Sequence, residues 1–155
     1  MTNAASRLSD GECLFCGARV LTGRQSLVVA RGQTCFVIVN LYPYNNGHIM
    51  VVPNRHVGSL TEATPAELTE LMMMASRAES ALTEAYSPHG MNLGLNLGRS
   101  AGAGVPGHLH FHLVPRWDGD TNFMSVVGNT RVVPEEPEVS VKRLKPLFAR
   151  LVAES

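Results

Sequence analysis

Three of the chain's six histidines lie within five positions, in His108-Leu109-His110-Phe111-His112. Alternate side chains of an extended strand point to opposite faces, so the three imidazoles would share one face while Leu109, Phe111 and Leu113 share the other. An imidazole titrates at about pH 6.5 and serves as neutral nucleophile, proton donor or metal ligand close to neutrality. Just upstream, Gly98-Arg99-Ser100-Ala101-Gly102-Ala103-Gly104-Val105-Pro106-Gly107 is rich enough in glycine to turn tightly and to present backbone N–H groups to an anion. Two chemistries fit this stretch: nucleophilic attack on a phosphate held by the loop, or a zinc ion held by all three histidines. The spacing leaves both open.

A second group with chemistry is Cys13-Leu14-Phe15-Cys16, which holds two of the three cysteines. An odd count and a C-x-x-C pair argue for metal binding or redox chemistry over a secreted disulfide framework. Cys35 falls inside a predicted strand and reads as a small buried hydrophobe.

These groups need a scaffold, and 155 residues suffice for one domain with its own core. Thirteen Lys and Arg balance thirteen Asp and Glu, so no global field favours a nucleic-acid polymer or a membrane surface. No apolar run approaches the roughly 20 residues that span a bilayer, and residues 1–10 lack the apolar segment of a signal peptide. A cytoplasmic location is the expectation.

The pattern predicts a flexible arm over residues 1–11, then a hairpin of two short strands over 27–30 and 35–39, and a further strand over 48–53. Thr64-Pro65-Ala66-Glu67 combines an N-cap, a proline at the first helical position and an acid three residues after the cap. A helix should start there, present Leu68, Leu71, Met72, Ala75, Leu82 and Tyr86 to the sheet, and stop at Ser87-Pro88-His89-Gly90. Met72-Met73-Met74 reads as packing, with only part of the run facing the core. Residues 91–97 alternate as a strand with Asn92 and Asn96 on its polar face, and 108–117 form the histidine strand. Asp118-Gly119-Asp120 reads as a turn, 123–127 and 130–133 as short extended pieces, and 139–153 as a terminal helix interrupted near Pro146.

Asn40, Gly47-His48, Val52-Pro53-Asn54-Arg55-His56, the glycine loop and His108-x-His110-x-His112 together resemble the histidine triad (HIT) superfamily of nucleotidyl hydrolases and transferases, across residues 13–117. The resemblance implies an α+β HIT-like fold, with an antiparallel sheet, one long helix packed on it and a C-terminal helix. Residues 12–155 would be a single histidine triad domain, in a homodimer. It also implies attack on the α-phosphate of a nucleotide by His110, through a nucleotidyl-histidine intermediate that water or phosphate resolves. A neutral His110 must keep its phosphate-facing nitrogen unprotonated while the other nitrogen donates to a backbone carbonyl.

The resemblance further implies that His112 and His48 contact phosphate oxygens or assist the leaving group, with backbone donors at Ala103 and Gly104. Asn40 would bind the ribose hydroxyls, unless it is only a strand-end turn residue, and Asn96 would add a polar contact. Many relatives carry Ser or Gln where this chain has Gly104, so a side-chain donor is missing there. No metal is required for the chemical step. Cys13 and Cys16 resemble the pair that, in some members, binds structural zinc with two histidines, here His56 and His108.

The run from Trp117 to Met124 resembles the bacterial diadenosine tetraphosphate phosphorylase-like branch, in which Trp117 would stack on a base or else serve as a core or dimer-interface aromatic. Arg99 and Arg116 would neutralise polyphosphate or stand as solvated charges. The substrate expected is a dinucleoside polyphosphate. A nucleoside phosphoramidate hydrolase and a nucleotide-binding regulatory module with weak catalysis are the alternatives.

Overall fold

A computed structural model of the chain describes residues 12–120 and 134–154. The arm expected over 1–11 and the extended pieces expected over 123–127 and 130–133 lie outside the described residues. The elements are helix α1 (Leu14–Val20), strands β1 (Val28–Arg31), β2 (Cys35–Val39) and β3 (Ile49–Pro53), helix α2 (Pro65–Tyr86), strands β4 (Gly90–Leu95) and β5 (Phe111–Arg116), and helix α3 (Pro137–Ala153). The strands form one antiparallel sheet in the order β1-β2-β3-β5-β4.

β2 and β3 are runs of β-branched, aromatic and apolar residues, and every residue in both is buried. Such a pattern marks strands covered on both faces. One face carries Cys35, Val37, Val39, Ile49, Val51, Leu109 and Leu113 into a core shared with α2 and α3. The opposite face carries Phe36, Ile38, Met50 and Val52 beneath Phe15 of α1. Fully burying an aliphatic or aromatic side chain of this size contributes about 1.5–3 kcal/mol before chain entropy is charged against it. The sheet is therefore the middle layer, and the histidines lie on its second face.

α2 begins as its sequence predicts. The Thr64 hydroxyl accepts the Glu67 N–H, the Glu67 carboxylate accepts the Thr64 N–H, and Pro65 opens the first turn. Its buried stripe is Leu71, Met74, Ala75, Ala78, Ala81 and Leu82. Met74 takes the inward place expected of Met72, which is exposed together with Met73. Glu70 leaves the same helix to accept the backbone N–H groups of Gln33, Thr34 and Cys35, which pins the β1–β2 turn. Gly32 makes room for this, since a Cβ there would lie 2.5 Å from the Glu70 carboxylate.

Three elements differ from expectation. α1 was not anticipated. The histidine segment joins the ladder only at Phe111, because residues 108–110 run beside the loop that follows β3, where the Leu109 N–H donates to the Val57 carbonyl. α3 starts at Pro137 and continues through Pro146 without a break. An internal proline costs a helix about 3 kcal/mol, and here burial of Val141, Leu144 and Phe148 offsets that cost.

Candidate active site

His48 sits just before β3, and the register pairs Met50 with His112 across β3 and β5. Because side chains alternate, Leu109 and Leu113 enter the core and Phe111 packs against it, while His108, His110 and His112 lie on the other side. The ring centroids of His110 and His112 are 4.9 Å apart, and those of His48 and His112 are 5.2 Å apart.

Hydrogen bonding fixes a tautomer for each ring. The Tyr44 backbone N–H, which can only donate, reaches His48 Nδ1 at 3.1 Å. His48 Nε2 must then carry the proton, and it donates to His112 Nδ1 at 2.9 Å. The neutral His112 in turn holds its own proton on Nε2. His110 Nδ1 lies 2.8 Å from the His108 carbonyl, to which it donates, so the His110 Nε2 lone pair is left available. One imidazole thus offers a lone pair while its neighbour offers an N–H. Burial, with the neighbouring imidazole charges second, lowers His48 to about 3, and burial followed by the charge of His110 lowers His112 to about 4. Both are neutral at physiological pH.

His48 is fully buried, with both nitrogens taken. It stands behind His112, and the expected roles at phosphate oxygens or at the leaving group would have to be exerted through that ring. The Asn40 Oδ1 accepts the Tyr42 N–H at 2.9 Å and closes the turn after β2, while its amide lies 3.3 Å from His48 Nε2. In the glycine loop the Ala103 N–H is spent on the Gly98 carbonyl, whereas the Gly104 N–H makes no backbone bond among the described residues. Trp117 is half-buried at the end of β5, and its backbone N–H donates to Asp120.

The three triad histidines do not converge on a common point. His108 turns away from the other two: its Nε2–H donates to the Pro53 carbonyl at 2.9 Å, and its Nδ1 faces Cys13 Sγ at 3.3 Å and Cys16 Sγ at 3.6 Å. His56 Nδ1 lies 3.5 Å from Cys16 Sγ. The four candidate ligand atoms of Cys13, Cys16, His56 and His108 lie within 4.8 Å of one another. Metal–sulfur bonds of about 2.3 Å and metal–nitrogen bonds of about 2.0 Å in a tetrahedron set ligand atoms roughly 3.3–3.8 Å apart, which the three sulfur–nitrogen distances match and the widest separation in the group exceeds by about 1 Å. The residues fit a closed Cys₂His₂ zinc centre. Burial lowers the basicity of His108 and keeps its Nδ1 unprotonated toward the sulfurs.

Sequence reasoning missed an apolar hollow of about 90 Å³ beside the histidines, lined by Phe15, Ile38, Asn40, Tyr42 and Met50, among others. Phe15, at 4.9 Å from the His110 ring, forms its boundary with the triad. Its only signal in the sequence was the alternation of β2, which puts Ile38 on the histidine side.

The HIT domain family profile matches residues 22–119. The chain belongs to the HIT-domain family. Among HIT proteins it is 48% identical over 115 residues to a Mycobacterium tuberculosis protein named AP-4-A phosphorylase, a match covering 74% of this chain and 59% of the relative. It therefore spans about three fifths of the length of that relative. In structure it resembles a histidine triad nucleotide-binding protein from Sulfolobus tokodaii, with a TM-score of 0.71 and 28% identity over 90% of this chain and 93% of the other. A zinc-bound histidine triad family protein from Mycobacterium smegmatis shares the fold, with a TM-score of 0.73 and 23% identity over 95% of this chain and all of the other. The five-stranded antiparallel sheet with its long helix is thus the HIT fold.

Proposed function

We propose that this chain is a nucleotidyl-transfer enzyme that cleaves dinucleoside polyphosphates at the α-phosphate, with His110 Nε2 as the nucleophile. The observation that carries the reading is the pairing of an available Nε2 on His110 with an Nε2–H on its neighbour His112. Similarity to a protein named AP-4-A phosphorylase supports the choice of substrate.

In the first step the His110 Nε2 lone pair forms a bond to the α-phosphorus. The bond from that phosphorus to the bridging oxygen breaks, and the oxygen leaves with the electron pair. His112 Nε2–H donates a hydrogen bond where negative charge develops, as does the Gly104 N–H. His112 stays neutral because burial, and after it the charge of His110, hold it at about 4, while His48 donates to its Nδ1. In the second step an oxygen of inorganic phosphate or of water attacks the same phosphorus, the N–P bond breaks with its electron pair returning to His110 Nε2, and an attacking water gives up its proton to solvent. Splitting one displacement into two suits a nucleophile whose lone pair is held available by its tautomer.

The substrate's base would enter the apolar hollow against Phe15 and Ile38, which places the ribose beside Asn40. Asn96 contacts the phosphates and Trp117 stacks on a base. Cys13, Cys16, His56 and His108 hold a structural zinc, which supplies stability and no step of the reaction. The working form is a homodimer.

The test is product analysis of diadenosine tetraphosphate cleavage, with and without inorganic phosphate. ADP plus ATP appearing only with phosphate identifies a phosphorylase, and AMP plus ATP without it a hydrolase. Rapid quench should trap an adenylylated protein in the wild type and none in His110→Ala. Full turnover by His110→Ala, or no products under either condition, overturns the reading.

A further inference from the structure

The histidines divide their face of the sheet into two unlike hollows. On the α1 side lies the small apolar hollow that Phe15 and Asn40 line. On the β4 side lies a groove of about 460 Å³, which runs from His112 over Gly94 and Val114 to Asn92 and Arg116, with Tyr44 along its edge. That volume falls in the range of pockets that bury a whole small molecule. The two central histidines belong to different sides. His110 packs on Phe15, whereas His112 lines the groove.

Displacement at phosphorus proceeds with the attacking and leaving atoms roughly in line. His112 stands between the two sides, so a leaving oxygen that takes the bond from its Nε2–H lies at the mouth of the groove. We propose that the groove over β4 and β5 is a second subsite that binds the departing nucleoside polyphosphate, with Tyr44 as the platform for its base and Asn92 and Asn96 as donors to its phosphates. The inference rests on the nucleotidyl-transfer reading above.

Tyr44 suits this role because it is 64% exposed, yet its ring is held in place by stacking on His48, with centroids 4.9 Å apart and planes 25° apart. An exposed, pre-positioned ring stacks on any base. Asn92 accepts a hydrogen bond from Arg116 through Oδ1, which orients its amide and leaves the N–H groups as donors. Arg116 is engaged in a bidentate pair with Asp120, so the groove holds phosphates through amide donors beside a neutralised cation. Such a groove recognises the departing polyphosphate without retaining it, as turnover requires.

Two substrates with the same transferred nucleotide separate the subsites. Diadenosine tetraphosphate leaves ATP in the groove, whereas adenosine 5′-phosphoramidate leaves only ammonia. Wild-type kcat/KM is measured on both, then in Tyr44→Ala, which keeps the backbone N–H that holds His48, and in Asn92→Leu, at an exposed position of β4. In each variant the ratio of kcat/KM for diadenosine tetraphosphate to that for the phosphoramidate should fall by about ten-fold. An unchanged ratio overturns the subsite, whether both rates persist or both fall together. A wild-type protein that cleaves the phosphoramidate but not diadenosine tetraphosphate instead fails the preceding reading, and does so before any variant is made.

Discussion

Lowering the pH from about 7.5 to about 5.5 should weaken the fold through His48 and His112. Burial holds His48 at about 3 and His112 at about 4, whereas both titrate near 6.5 in an unfolded chain. The folded values are the lower ones, so below pH 6.5 the unfolded state binds the extra protons. The stability involved is complete above about pH 6.5 and is lost as the pH falls toward the folded values. At pH 5.5 an unfolded histidine is about ten-elevenths protonated and the folded one almost wholly neutral, a difference of roughly 1.4 kcal/mol per residue, or about 3 kcal/mol for the pair. Carboxylates titrate at about 4 in an unfolded chain, so those held lower in the fold, such as Glu67 beside Arg55 and Asp120 beside Arg116, lose their contribution below this window. The assay is urea denaturation at the two pH values for wild type and His48→Gln, whose amide keeps a donor near His112 without titrating. The variant should lose about 1.4 kcal/mol less stability on acidification than the wild type. An equal loss in both proteins, or no loss in the wild type, would refute the reasoning.

The same structure makes two shorter predictions. The wild-type chain should carry one zinc ion by elemental analysis, and Cys13→Ser should lose it and melt at least about 5 °C lower, since a structural zinc contributes to folding directly; wild-type metal content and melting point in the variant would remove the Cys₂His₂ centre. Gly47→Ala should cost about 1–3 kcal/mol in urea denaturation, because Gly47 has a φ of +76° and a Cβ there would lie 2.8 Å from Tyr86 Cε2; an unchanged midpoint would show that the turn before His48 tolerates a side chain.

What was legible in the sequence was whatever short-range rules specify. The start of α2 was readable because a Thr64–Glu67 capping box and Pro65 are local signals, and β2 because Cys35–Val39 is apolar and β-branched throughout. α1 was not, since seven residues that include Gly17 give no periodicity to read and Phe15 owes its helical place to burial against Val28 and Phe36. The true start of the histidine strand was hidden for a related reason. Alternation continues through residues 108–110 because Leu109 still reaches the core, although the ladder partner there is the lone carbonyl of Val57. Sequence could nominate His48 but not its place in the chain of contacts, because the Tyr44 N–H that sets its tautomer becomes a neighbour only through the turn.

His108 is where the cysteine cluster and the proposed nucleophile meet, and its contacts leave neither of its nitrogens for the proposed reaction. Its Nδ1 faces the two sulfurs, its Nε2–H is tied to Pro53, and its carbonyl holds the Nδ1–H of His110. Phe15, between the two cysteines in sequence, rests on the rings of both His108 and His110. Anything that clamps Cys13 and Cys16 to His108 therefore also fixes the carbonyl and the aromatic wall that orient His110. A His110 ring released from that carbonyl would be free to move its proton to Nε2, where it blocks attack. In the proposed reaction the first histidine acts on the second through the backbone, and the second on the substrate through its ring.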